Sequence, residues 1–248
     1  MFKKILFSNQ TNTPLGHKVI SHQWQNLKDV WDNTLNPPSN AIGIERIVKL
    51  FLIATQFATP GLYIRAIFGS KGKLSKHLAV EFYVIFKLIS AFCIINFQLY
   101  DKILVCGHHV LIFWVWWMIF ETVLYTANLV FCNDVFAKPH SYKRNIILIF
   151  IDYVQITLDY GTLYLYYRAL KIGIDAVVDR PLDAGYFSFI SSLTIGFGDI
   201  VPCDDLGKKL VIGHILIFLL FGVLFINFYT SRIETKNDKI PPASPPYY

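Results

Sequence analysis

Between Ser191 and Pro202 the chain reads SSLTIGFGDIVP, flanked by two apolar runs, Ile146–Tyr167 and Leu210–Tyr229. Each run is about as long as a hydrocarbon core is thick. A threonine, two alternating glycines and an aspartate are residues that expose backbone. At membrane depth, non-helical backbone is tolerated only inside protein or beside water. Ahead of the strip, Pro181 and Asp183 make a helix start, and AGYFSFISSL suffices for about three turns. A helix that short cannot cross; it dips in and returns, with TIGFGD as the return strand. Gly196 and Gly198 open dihedrals closed to other residues, so successive carbonyls can point the same way. Aligned carbonyls replace the hydration shell of a small cation. The short helix also aims its partly negative C-terminal end at the membrane centre, which favours a cation there. On this reading the backbone is exposed because it is the ligand.

The rest of the chain fits a membrane setting. Of 248 residues, 54% are hydrophobic and only 16% charged, with a mean hydropathy of +0.44, too little charge to cover a soluble domain of this size. Apolar runs predict transmembrane helices at Ala79–Leu99, Leu111–Phe131, Ile146–Tyr167 and Leu210–Tyr229. The fold class expected is therefore an all-α membrane protein of four spans, with a re-entrant helix and strip between the last two. A stretch from Ile47 to Phe68 is long enough to span but carries Lys49, Gln56, Arg65 and the breaker Pro60-Gly61. It reads as an interfacial helix bent at Pro60. The organisation expected is an N-terminal arm (1–46), the interfacial helix and a basic linker (47–78), two accessory spans (79–131), a second basic linker (132–145), a pore-type module (146–231) and a disordered tail (232–248).

Charge sets the orientation. Lys71, Lys73 and Lys76, then Lys138, Lys143 and Arg144, then Arg232, Lys236 and Lys239 flank the spans on one side. By the positive-inside rule both termini are cytoplasmic and the chain sits in the cell membrane. Arg168, Lys171 and Arg180 run against this in the outer loop, offset by Asp175, Asp179 and Asp183. The net charge of +6 then concerns topology and anionic lipid, and no arginine-rich, aromatic-interleaved patch speaks for nucleic acid. The four cysteines, Cys93, Cys106, Cys132 and Cys203, lack metal-type spacing, and a Cys106–Cys203 disulfide stays open.

TIGFGD followed by IVP, after a short aromatic helix and before a long apolar span, resembles the pore loop of potassium channels, whose filter is TVGYG followed by Asp. The two-pore-domain members use a similar TIGFG. Thr194, Ile195, Gly196, Phe197 and Gly198 match that filter one for one, with Asp199 at its outer end. The resemblance implies passive potassium conduction, with four copies of the chain around one pore in the lipid bilayer. Thr194 would give its carbonyl and hydroxyl, and Ile195, Gly196 and Phe197 their carbonyls; Gly198 shapes the outer end and Asp199 adds negative field. It implies no cofactor beyond the permeant K+, no other metal and no enzymatic activity. The departures matter. Leu193 stands where the family has a second threonine, Ile190 where many members have an acid, and Phe197 where the filter has tyrosine. The collar positions on the short helix are Tyr186 and Phe187, so the collar is expected to be held by packing alone. A nonselective cation channel of the same fold and a non-conducting accessory subunit remain the alternatives.

No span carries a basic residue at every third position, as a voltage sensor requires. Gly222, Phe225 and Asn227 on the last span are candidates for an inner gate, with Phe221 and Phe228 nearby and His214 unassigned. At 1.5 Å per residue, Lys87 lies ~12 Å, Glu121 ~15 Å and Asp152 ~9 Å above the inner boundary. These depths predict that Lys87 pairs with Glu121 and Asp152. His108 and His109, at an outer boundary, read as solvated loop residues. A metalloenzyme built on His108, His109, Glu121 and His140 fails because His108 and His140 belong on opposite sides of the bilayer.

Overall fold

The computed structural model describes residues 18–32, 43–69, 73–102, 110–132, 142–173 and 176–237. In chain order these form α1 (Lys18–Asp32), α2 (Ile44–Thr55), a 3-10 turn (Gln56–Ala58), α3 (Pro60–Gly69), α4 (Lys73–Phe97), α5 (Leu99–Lys102), α6 (Val110–Phe131), α7 (Tyr142–Tyr166), β1 (Leu170–Ile172), β2 (Ala176–Val177), α8 (Pro181–Ser192), β3 (Ile200–Pro202) and α9 (Asp205–Asn237). Among the described residues α4, α6, α7 and α9 are long and apolar enough to cross a membrane, which gives the four spans expected. Their ends differ from the hydropathy reading. Helix α4 takes in Lys73, and α9 continues through Arg232 to Asn237. Charged residues with good helix propensity extend a helix past its apolar window, and no Gly or Pro stops α9 before Pro241.

Proline sets the break between α2 and α3. Thr59 precedes Pro60 and is extended at φ −95°, ψ 134°, because the proline ring excludes the helical region for its predecessor. Pro60 then opens α3, where a missing N–H removes no helical bond. The two helices meet at a bend of 66°. The interfacial helix is thus two helices, and by length and composition the bent pair qualifies either as a fifth, broken span or as a re-entrant loop. A small core of Val30, Leu52, Ile53, Leu124 and Cys132 ties α1 and α2 to α6.

Helix α7 is the hub. It packs against α4, α6, α8 and α9, and 61% of its membrane window is buried, against 22% for α9. Small residues let α8 approach. A Cβ on Gly161 would stand 2.8 Å from Ile95 Cδ1 and 3.6 Å from both the Ala184 carbonyl and Gly185 Cα, so α8 crosses α7 at Gly161, Ala184 and Gly185. The main core, including Ile95, Ile156, Leu163, Ala184, Phe187 and Leu224, surrounds that crossing.

The linker between α7 and α9 holds a small antiparallel sheet, order β2-β1-β3, in which Lys171 stands opposite both Val177 and Val201. It clamps the two ends of the re-entrant segment together. Next to it Gly207 opens α9 so close to the end of α7 that an added Cβ would lie 2.4 Å from the Ala169 carbonyl oxygen. Gly207→Ala is therefore expected to destabilise the protein by about 1–3 kcal/mol through overpacking. The check is the melting temperature in detergent, and an unchanged value would show that α9 starts elsewhere.

Candidate functional site

Helix α8 ends by folding its last carbonyls onto the strip that follows. Leu193 leaves the helix at φ −87°, ψ 3°. The Thr194 N–H then donates to the Ser191 carbonyl at 3.1 Å and the Ile195 N–H to the Ile190 carbonyl at 2.9 Å, with Thr194 left-handed at φ 57°. This is the Schellman arrangement, in which a left-handed residue after the helix is normally glycine. A β-branched threonine there carries a strain of ~1–2 kcal/mol, offset by the two hydrogen bonds. Past Thr194 the left-handed conformation recurs at Gly196 (φ 56°) and Gly198 (φ 81°), while Ile195 and Phe197 keep negative φ. Positive and negative φ therefore alternate from 194 to 198. The glycines behave as the sequence requires; the third left-handed position, at Thr194, had no glycine to announce it.

The strip lies open. Residues 193–199 are all exposed, and burial resumes at Ile200. Ile195 is 51% exposed and Phe197 68%, large apolar side chains without cover in one chain. Behind the strip, by contrast, α8 is tightly bound to α7. Ser188 Oγ donates to the Thr157 carbonyl at 2.5 Å, and Ser192 Oγ meets the Tyr153 hydroxyl at 2.7 Å. Phe187 is buried edge-on against Tyr164, ring centroids 5.3 Å apart. Ile190 is buried in the core behind the strip. Tyr186 is exposed and lies close to the Asp199 carboxylate.

The inner-gate candidates separate. Phe221 is 1% exposed, packed against Tyr153 at 5.9 Å, and so belongs to the chain's own core. Phe225 is partly buried against that core, and a Cβ on Gly222 would meet nothing within 4 Å. The Asn227 and Phe228 side chains lie outside the described residues. What the sequence did not reveal is the exposed stripe of α9: Ile212, Leu216, Leu219, Val223 and Ile226, each more than two-fifths exposed. Spacings of four and three put them on one face. His214 faces the other way, buried and stacked on Tyr160 at 4.2 Å.

The intramembrane acids and base pair differently from the depth argument. Lys87 Nζ donates to Asp152 Oδ1 at 2.8 Å and to Thr122 Oγ1 at 2.9 Å, and both charged side chains are at most 4% exposed. Thr122 passes the network to Gln155 at 3.1 Å, and Gln155 donates to Asp159. Glu121 is not a partner of Lys87. Its carboxylate accepts from the Gly61 N–H at 3.1 Å and from the Tyr83 hydroxyl. The reason is the helix break: α3 begins at Pro60, and its free N–H groups and positive dipole end draw the carboxylate. Hydropathy gave the depth of these groups but not the rotation of their helices. His108, His109, His140 and Cys106 lie outside the described residues, and among those described no cluster of His, Cys, Asp and Glu could hold a metal.

This geometry coincides with a family match. Residues 152–235, from Asp152 of α7 through the strip to the end of α9, match the ion channel family. Over this segment the chain is similar to ion channels. The matched segment takes in α8, the strip and most of α9. A curated relative, the hyperpolarization-activated voltage-gated potassium channel of Methanocaldococcus jannaschii, is 40% identical over 50 residues, which are 20% of this chain and 24% of the relative. The chain therefore matches about a quarter of that channel's length. No solved structure matches the chain.

Proposed function

We propose that the protein is a potassium-selective channel subunit, that four copies surround one pore, and that both termini face the cytoplasm. The observation that carries this reading is the positive φ at alternate positions Thr194, Gly196 and Gly198 in a strip left wholly exposed by its own chain. A strip of this kind, with Ile195 and Phe197 uncovered, needs neighbours, and fourfold repetition encloses it while turning its carbonyls to a common axis. Thr194, Ile195, Gly196 and Phe197 then supply the oxygens that replace potassium's water shell. Gly198 and Asp199 form the outer mouth. The stripe from Ile212 to Ile226 becomes the face of α9 turned to the other copies and the conduit. Gating by a voltage sensor finds no support in the accessory helices: Lys87 is a single base, already paired with Asp152. The relative from Methanocaldococcus jannaschii is a voltage-gated channel, and this chain matches only 24% of it.

The decisive experiment is the reversal potential of reconstituted protein with potassium on one side and sodium on the other. A value strongly favouring potassium is expected. A value near zero would replace this reading by a nonselective channel, and no current from a folded assembly would favour the accessory-subunit alternative. Tyr186→Phe in the same assay removes the hydroxyl that lies near Asp199; a hydrogen bond between the two would be worth ~1 kcal/mol. The substitution is expected to lower the potassium-to-sodium permeability ratio by up to about fivefold. An unaltered ratio would mean that no such bond braces the filter.

A further inference from the structure

Helices α1 and α2 turn polar residues inward and large apolar ones outward. On α1, Gln23 and Asn26 are buried beside Val30, while Ile20, Trp24 and Trp31 are exposed at 43%, 53% and 66%. On α2 and the turn after it, Lys49 and Gln56 are buried, and Lys49 is paired with Glu45 at 2.6 Å. Every exposed residue from Ile47 to Ala58 is apolar, namely Ile47, Phe51, Ala54 and Ala58. Spacings of four and three put these along one side. Water favours the reverse arrangement, whereas a helix against lipid keeps its ionisable groups inward and paired.

The two helices differ in one respect. Beside its apolar stripe α1 also exposes Ser21, His22, Gln25 and Lys28. At 3.6 residues per turn, Ile20, Trp24 and Trp31 fall within about 40° of one another, and Gln25 lies about 120° round from the middle of that stripe. One side of α1 thus suits lipid and another suits water, the pattern of a helix at a membrane boundary. Its position agrees. The Gln23 amide donates to the Ile53 carbonyl at 3.3 Å, Arg46 donates to the Trp31 carbonyl, and Asn128 of α6 donates to the Leu52 carbonyl at 3.1 Å. Val30, Leu52 and Ile53 share a core with Leu124 and Cys132. Both helices therefore lie beside the last turns of α6, which is long and apolar enough to cross the membrane.

We infer that α1 and α2 form a lipid-docking surface at that end of α6. Ile47, Phe51, Ala54 and Ala58 face acyl chains, and Ile20, Trp24 and Trp31 enter the boundary between chains and headgroups, with Gln25 and Lys28 left in water. The occupant is the bilayer itself, and tryptophan, with an apolar ring and one N–H, suits that boundary. Part of the stretch read from sequence as an N-terminal arm is then a membrane anchor. The inference does not depend on the potassium reading.

The test is tryptophan fluorescence of the full-length protein reconstituted in phosphatidylcholine vesicles. The emission of Trp24 and Trp31 is the difference between the parent and the double variant Trp24→Phe with Trp31→Phe. Phosphatidylcholine brominated high on its acyl chains is expected to quench that difference at least twofold, while iodide on both sides of the membrane changes it little. Gln25→Trp in the double variant samples the polar face of α1 and should respond the other way, to iodide and not to the brominated lipid. If the double variant fails to fold by gel filtration, each single variant gives the difference for its own residue. Quenching of Trp24 and Trp31 by iodide alone would overturn the inference and put the stripe in water. Protection from both quenchers would also overturn it, because protein, a second copy included, would then cover the stripe. Quenching of the Gln25→Trp emission by brominated lipid would immerse α1 entirely and remove the boundary placement.

Discussion

Substituting Gly196 by alanine is expected to abolish potassium selectivity, and with it most potassium flux, in the reconstituted protein. Gly196 sits at φ 56° with nothing within 4 Å of the Cβ that alanine would add in a single chain. The effect is therefore not a clash within the subunit. An L-residue held left-handed costs ~1–2 kcal/mol, and the strip already carries one such residue at Thr194. A second strained position, repeated in every copy of a proposed fourfold ring, multiplies that cost around a single pore. The strip is exposed and bound to its own chain chiefly at its two ends, so the cheapest relief is to turn the peptide and withdraw a carbonyl. The expected shift is a permeability ratio falling at least tenfold, read as a reversal potential moving toward zero, with assembly intact on gel filtration. A variant that stays fully selective would show that the carbonyls of this strip do not choose the ion.

Lys87→Met should produce the largest loss of stability of any single substitution away from the filter. Lys87 and Asp152 are buried at 4% and 2% exposure, 2.8 Å apart, so removing the base strands a carboxylate inside the bundle. Breaking such a pair from one side costs ~3–5 kcal/mol, whereas replacing both partners by apolar residues is often close to neutral. The double variant Lys87→Met with Asp152→Leu is accordingly expected to recover most of the melting temperature lost by the single one. The exposed pair Lys208–Asp205, at 64% and 86% exposure, serves as the contrast; Lys208→Met should cost less than about 1 kcal/mol. If Lys87→Met melts with the parent protein, the pair is not the lock of the accessory bundle. If it melts lower but conducts normally once folded, the pair sets packing and has no part in gating.

Several features were legible because they depend on neighbours along the chain. Runs of some twenty apolar residues mark spans, Pro60 marks a break, and glycines at alternate positions mark a strip of unusual handedness. What escaped depends on rotation and on partners far apart in sequence. The depth of Glu121 and Lys87 was readable, but not that Glu121 turns to the start of α3 while Lys87 turns to α7. The stripe on α9 was equally hidden, since almost every residue from Leu210 to Ile226 is apolar and no periodicity stands out. Thr194 is left-handed because two cap bonds back onto the end of α8 hold it so, at a position that glycine normally marks and that here has none. The sheet β2-β1-β3 is built of strands of two or three residues, too short for alternation to register.

The position of α7 limits how the molecule can be divided. One face of that helix lines the pore domain, with Tyr153 and Thr157 holding α8; another presents Asp152, Gln155 and Asp159 to α4 and α6. A chain shortened to begin at Tyr142 would keep every residue of the proposed filter and still lay two carboxylates and an amide against lipid. The last two spans are thus not a cassette that can be lifted out or grafted onto another set of leading helices. Any exchange of the accessory helices would have to bring a matching base and hydroxyl with it.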